Sequence, residues 1–204
     1  MANSVDKAAA CHVAQLAHHL LRGYLAHIAA VRSVPRVDGN ALVRLIADWP
    51  SDFVQRKDGT KWSFDTQDAL VDLADKAIDA ELPRVWLTGS LLALGDALKE
   101  HHYFDRAPAL ELVYHLRNGI AHGNRFNFTA PGLDRLTKYP AHNRDACFRK
   151  VICEIAPALN GQVILFAFMG AGDVLDLLSS VGAHLRDLTR RCSEPLAAPR
   201  SYFR

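Results

Sequence analysis

Arg117, Asn118 and His122 stand close together in the stretch 112–124, which reads LVYHLRNGIAHGN. Histidine titrates near neutrality and suits proton transfer. Arginine stays charged and offers forked donors that match two oxygens of a phosphate, so it suits charge stabilisation. Asparagine can orient either the anion or the imidazole by hydrogen bonding. Asn118 and His122 are four apart and share a face of a helix. Arg117 and His122 are five apart, roughly 140° around the axis, and the long arginine can curl back toward the same edge. The three side chains can therefore meet along one border of a helix end, or against a second copy of the chain.

The elements around this segment are those of a helical protein. Leu112, Val113, Leu116 and Ile120 anchor it at helical spacing. Its helix is expected from near Asp105, with Pro108 in the first turn where proline is tolerated, to a stop at Gly123-Asn124. Upstream, Val13, Leu16, Leu20, Leu21, Tyr24, Leu25 and Ile28 mark a first helix, with Ser4 as its N-cap and Pro35 beyond its end. A short helix is expected over 41–49, and Asp58-Gly59 signals a turn that a small hairpin would use. A second long helix opens at 65–68 and should be broken or kinked by Pro83. A third runs over about 84–102 with Leu87, Leu91, Leu94 and Leu98 on one side.

After Asn124 the texture changes. Residues 125–143 read as a loop, 151–155 and 162–168 as two short strands joined by a turn at 157–161, and 174–190 as a last helix. Asp173 has two readings: a helix cap, or part of an anion-binding Gly-Ala-Gly-Asp helix start. The tail 193–204 should be frayed. The expected fold is thus mainly α, an antiparallel helical bundle over 5–124 with a small C-terminal β-hairpin and final helix over 149–190, in a single domain of residues 1–192.

Composition narrows the function classes. The chain has 204 residues, half of them hydrophobic, and a net charge of only +2, so nucleic-acid binding would need a local patch or two paired chains. The first ten residues lack an apolar core of a secretory signal, and the longest apolar run, 163–169, is strand-sized, so no membrane span is expected. Cys11, Cys147, Cys153 and Cys192 form no CxxC pair; they read as small apolar residues in a reducing cytoplasm. The adjacent pairs His18-His19 and His101-His102 point about 100° apart on a helix, so neither these nor any motif suggests a metal site, and no cofactor is expected. Trp49, Trp62 and Trp86 are expected in the core or an interface.

The string Arg117-Asn118-Gly119-Ile120-Ala121-His122 resembles the R-(N/D/H)-x-x-x-H signature of the HEPN superfamily. Asn after Arg leaves on the order of one chance match per hundred chains of this size. The resemblance covers about residues 5–125. Two further stretches, Gly123-Asn124-Arg125-Phe126 and Phe168-Met169-Gly170-Ala171-Gly172-Asp173-Val174, resemble a plasmid- and phage-associated HEPN subgroup. The resemblance implies a HEPN-like bundle that forms a homodimer, two motifs facing across a two-fold axis, and a metal-independent endoribonuclease in a toxin–antitoxin or phage-defence role. RNA, and in some systems an antitoxin protein, would be the partners. It equally implies a second class, non-catalytic HEPN-like scaffolds that dimerise or hold a partner. On a purely structural reading Arg117 pairs with Glu111 or Asp105, His122 complements the helix dipole, and Asn118 bonds a neighbouring helix.

Overall fold

The computed structural model describes residues 6–33, 52–72 and 76–190. Among these the chain is mainly helical, with one two-stranded antiparallel sheet. In chain order the elements are α1 (Lys7–Ser33), β1 (Asp52–Gln55), β2 (Lys61–Phe64), α2 (Thr66–Asp72), α3 (Lys76–Glu100), α4 (Pro108–Ala121), α5 (Ala130–Lys138), a 3-10 turn (Pro157–Leu159) and α6 (Ala171–Leu188). Ser4, Pro35, the helix expected over 41–49 with Trp49, Cys192 and the tail lie outside the described residues.

The chain divides into two compact units, one of residues up to 19 and from 90 onward, the other of residues 20–89. The division falls inside α1 and inside α3.

The larger unit carries the 112–124 segment. Its core is apolar and helical: Val13, Ala14 and Ala17 of α1, Leu91, Leu94 and Leu98 of α3, Leu112, Val113 and Leu116 of α4, and Val174, Leu178 and Val181 of α6 are all buried. Gly182 lets α6 approach α1 closely. A Cβ there would lie 3.5 Å from the Ala14 carbonyl oxygen. Asp6 begins α1, its Oδ1 accepting the Ala9 N–H at 3.1 Å. Asp173 acts at the start of α6, where it accepts the backbone N–H of Gly170 at 2.9 Å from the third helical position. The helix starts at Ala171, three residues before Val174, so Gly170 is the N-cap and Asp173 closes the first turn from within the helix.

Three expectations are corrected here. Pro83 does not break the chain into two helices, because α3 passes through it from Lys76 to Glu100. The buried leucine stripe Leu87, Leu91, Leu94 and Leu98 offsets the one missing backbone bond. The stretch 125–143 is not all loop but contains α5. The C-terminal β-hairpin is absent among the described residues. Residues 151–155 and 162–168 do not pair with each other: His142 bridges Glu154, and Arg125 bridges Val163. Their extended backbones are satisfied by the segments that follow α4, so no hairpin ladder is needed.

The hairpin lies instead in the smaller unit, at the Asp58-Gly59 turn. β1 and β2 pair with Val54 opposite Trp62 and Gln55 opposite Lys61. Gly59 takes φ 84°, a left-handed conformation that glycine adopts freely. Asp58 Oδ1 accepts both the N–H and the hydroxyl of Thr60, which holds its carboxyl below the usual range. Trp62 is exposed rather than buried. Trp86 lies half-exposed across Gly23, stacks on His27 at 6.0 Å and donates its indole N–H to the Leu20 carbonyl.

Candidate functional site

The α4 helix delivers the three motif residues. Pro108 stands at its first position with Ala107 as N-cap, and it ends as the spacing predicts, with His122 at the C-cap (φ −107°, ψ 38°) followed by Gly123 at φ 87° and Asn124 at φ 60°. The backbone N–H of His122 bonds to Gly119 and that of Asn124 to Ile120, which closes the turn.

Arg117 leaves α4 toward α3. Its Nε donates to Asp96 Oδ1 at 2.9 Å and its Nη2 lies 2.6 Å from the same oxygen. Gly95 makes room for this path: a Cβ at Gly95 would sit 2.5 Å from Arg117 Cγ. The third guanidinium nitrogen, Nη1, donates to Asn118 Oδ1 at 3.4 Å. The structure therefore brings Arg117 and Asn118 together and adds Asp96, 21 residues upstream. It does not join His122 to them. Among the described residues the His122 ring, which is exposed, takes part in no hydrogen bond or ion pair.

Neither of the ion pairs read for Arg117 from sequence forms. Glu111 is fully buried and is gripped by Arg135 of α5, Nε to Oε2 at 2.6 Å and Nη2 to Oε1 at 2.8 Å, with Arg106 at 3.4 Å. The Arg135 guanidinium lies 3.7 Å over the Tyr114 ring and 4.9 Å over Tyr103. Burial pushes the Tyr103 hydroxyl up to about 12, against the pull of Arg135. His115 lies edge-on to Tyr114 and Phe128, 4% exposed, with its Nε2 unpaired. Burial, and then the Arg135 charge, lower its pKa to about 4, so it stays neutral. Asp105 pairs with His184 of α6, whose Nε2 lies 2.9 and 3.1 Å from the two carboxylate oxygens.

The other motif residues hold the backbone in place. A Cβ on Gly119 would lie 2.3 Å from Ile164 Cδ1 and 2.7 Å from the Arg125 carbonyl oxygen, so only glycine admits this packing. Asn124 reaches across to Leu165: its Oδ1 accepts the Leu165 N–H at 2.9 Å and its backbone oxygen accepts the Ile164 N–H. Phe126 is buried and meets Phe168 edge-on at 5.1 Å. The Gly-Asn-x-Phe stretch is thus the clasp that ties 161–169 to the end of α4.

One cleft went unnoticed in the sequence. It measures about 270 Å³ and is lined by Pro108, His142, Asp145, Cys147, His184 and Asp187 among others. The hydrogen bond that His184 makes to the Asp105 carboxylate raises the His184 pKa against the opposing effect of burial. Ser180 also lines it, but its hydroxyl is committed to both the N–H and the carbonyl of Phe148. Cys147 is exposed, unlike Cys153, which is buried as a small apolar residue would be. No motif or spacing in the sequence signalled this cleft, because its lining residues come from separate stretches at 107–109, 142–147 and 180–187.

Among the described residues no group of three His, Cys, Asp or Glu side chains is placed to hold a metal ion, and no helix is long and apolar enough to cross a membrane. Comparison with known protein families, with curated proteins and with solved structures finds no match to this chain.

Proposed function

We propose that the chain is a HEPN-type, metal-independent endoribonuclease with a toxin-like or defence role, acting as a homodimer whose two α4 ends form one composite site. The observation that carries this reading is the presence, on the one helix α4, of an exposed, uncommitted imidazole at its C-cap and of a guanidinium that already binds an oxyanion, the carboxylate of Asp96. A phosphate makes the same charge-assisted bonds as that carboxylate and can take its place. The ion pair is partly open to solvent, with Asp96 55% exposed, so giving it up costs little.

In this scheme the ribose 2′-hydroxyl is the nucleophile. One His122 removes its proton, Arg117 and Asn118 hold the phosphate as negative charge builds, and His122 of the second copy protonates the departing 5′-oxygen. The products are a 2′,3′-cyclic phosphate and a 5′-hydroxyl. Purified protein incubated with RNA, with and without EDTA, tests the scheme. Cleavage unaffected by EDTA and abolished in both Arg117→Ala and His122→Ala is expected. A need for magnesium, or activity surviving in His122→Ala, refutes it.

A second reading, a non-catalytic HEPN-like dimerisation or interaction scaffold, is favoured by one observation. The stem of Arg117 is packed tightly on Gly95, as befits a tether between two helices. On that reading the protein leaves RNA intact at every concentration and the Arg117 variant loses stability instead.

A further inference from the structure

Phe166 stands in the backbone conformation that suits it least. Its φ is 71°, a left-handed value costly to any residue bearing a Cβ. Its side chain is nevertheless 53% exposed, so burial of the ring does not account for it. The turn that presents it is held firmly from beneath. Leu165 and Met169 on either side are buried. The Phe166 N–H bonds to the Met169 carbonyl at 2.7 Å, and the N–H groups of Phe168 and Met169 both return to the Ile164 carbonyl.

The turn is also fixed to the motif. Asn124, two residues beyond His122, accepts the N–H of Leu165, the residue before Phe166. Two peptide steps, one side-chain hydrogen bond and one further step limit the separation of the His122 and Phe166 Cα atoms to roughly 20 Å. That is a span of a few nucleotides. Arg125 lies between them in the chain, exposed, with its guanidinium anchored on the Gly161 carbonyl. A rigidly held, exposed aromatic face is a surface on which the bases of single-stranded nucleic acid stack, and a cation on the same stretch that follows the motif can meet the backbone.

We propose that Phe166 is a stacking platform for an unpaired base of the RNA bound at the His122 end of α4. The proposal rests on the ribonuclease reading and specifies its substrate as single-stranded RNA. Phe166 is a positioning residue that binds a base within a few nucleotides of the scissile phosphate.

The test separates this proposal from the reading beneath it. Wild-type protein is first assayed for cleavage of a single-stranded RNA oligonucleotide. The His122→Ala protein, alone and combined with F166L or F166Y, is then titrated into the same oligonucleotide carrying 2-aminopurine, whose fluorescence is quenched by stacking. F166L keeps an apolar side chain and the same backbone, so it removes aromaticity alone. F166Y is expected to bind and quench like its parent, and F166L to bind roughly five- to a hundredfold more weakly without quenching. If wild type cleaves while F166L binds and quenches like its parent, the stacking role is wrong and the ribonuclease reading survives. If wild type neither cleaves nor binds, both fall. If F166L instead turns a dimer into a monomer in sedimentation with RNA affinity unchanged, the ring serves self-association and the proposal is overturned.

Discussion

The bond between Arg117 and Asp96 decides between enzyme and scaffold, and a double-mutant cycle measures it. At 2.6 Å, two unit charges in water attract by about 1.6 kcal/mol. Ordering two side chains offsets part of this, and exposed pairs generally retain only about 0.2–1 kcal/mol. With Asp96 55% and Arg117 24% exposed, the coupling energy from urea unfolding of Asp96→Ala, Arg117→Ala and the double variant should fall at the upper end of that range and shrink in high salt. A chain of this size loses about 2–4 °C of Tm per kcal/mol, so Asp96→Ala melts only a few degrees early. Cleavage separates the variants much further. Removing one charge-stabilising donor costs on the order of a hundred- to a thousandfold in rate, whereas Asp96→Ala leaves the guanidinium in place and retains most activity. A coupling above about 2 kcal/mol, or Asp96→Ala losing cleavage as completely as Arg117→Ala, would refute the reasoning and leave Arg117 as a tether between α3 and α4.

Three other perturbations follow from the packing. Glu111→Ala strands the Arg135 and Arg106 guanidinium groups around a buried site, and should cost about 3–5 kcal/mol in chemical denaturation; a loss under 1 kcal/mol would mean water reaches that network. Gly119→Ala forces a Cβ against Ile164 and the Arg125 backbone, so it should unfold the turn after α4 and expose the amides of 161–169 to rapid hydrogen exchange. The folded state keeps His115 neutral down to about pH 4 while the unfolded chain takes up a proton near pH 6.5, so stability is full above that value and falls by about 3 kcal/mol on acidification to pH 4. His115→Phe should flatten that part of the pH profile. The Asp105–His184 pair runs differently: the raised His184 value makes its contribution fade as pH climbs past the imidazole range, and the lowered Asp105 value, where the His184 and Ala107 bonds together outweigh burial, makes it fade again in strong acid.

How far the sequence could be read depended on how local each determinant is. The course of α4 was legible because Pro108, the Leu112, Val113, Leu116 and Ile120 stripe and Gly123-Asn124 all lie within it. The β1–β2 turn and α6 were legible for the same reason, through Asp58-Gly59 and through the Val174, Leu178, Val181 and Leu185 repeat. The α5 helix was not. It has nine residues, with Pro131 and Gly132 in its first turn, and the bond that holds it joins Arg135 to Glu111, 24 residues earlier. The stretches 151–155 and 162–168 carry β-branched and aromatic residues suited to strands, but pairing partners are not written in a strand's own composition. They were found by 141–143 and 124–126 instead. The partner of Arg117 escaped for a related reason, since Asp96 meets it only because Gly95 lets α3 come close.

The motif itself divides along the same line between packing and chemistry. Gly119 is committed to Ile164 and the Arg125 backbone, Asn124 to Leu165, and Arg117 to both Asp96 and the Gly95 surface. Each of those positions has a structural reason for its residue type, so loss of function on replacing any of them would be ambiguous. His122 has none: its backbone closes the helix, a task any residue with an N–H performs, and its exposed ring holds nothing in place. Replacing it by alanine should change stability by no more than about 0.5 kcal/mol. An activity that vanishes with that ring while the melting curve stays put is then attributable to chemistry. Unfolding of His122→Ala well before wild type would show instead that the imidazole is packed in the dimer or the fold, and would remove the one residue on which an enzymatic role can be distinguished from a structural one.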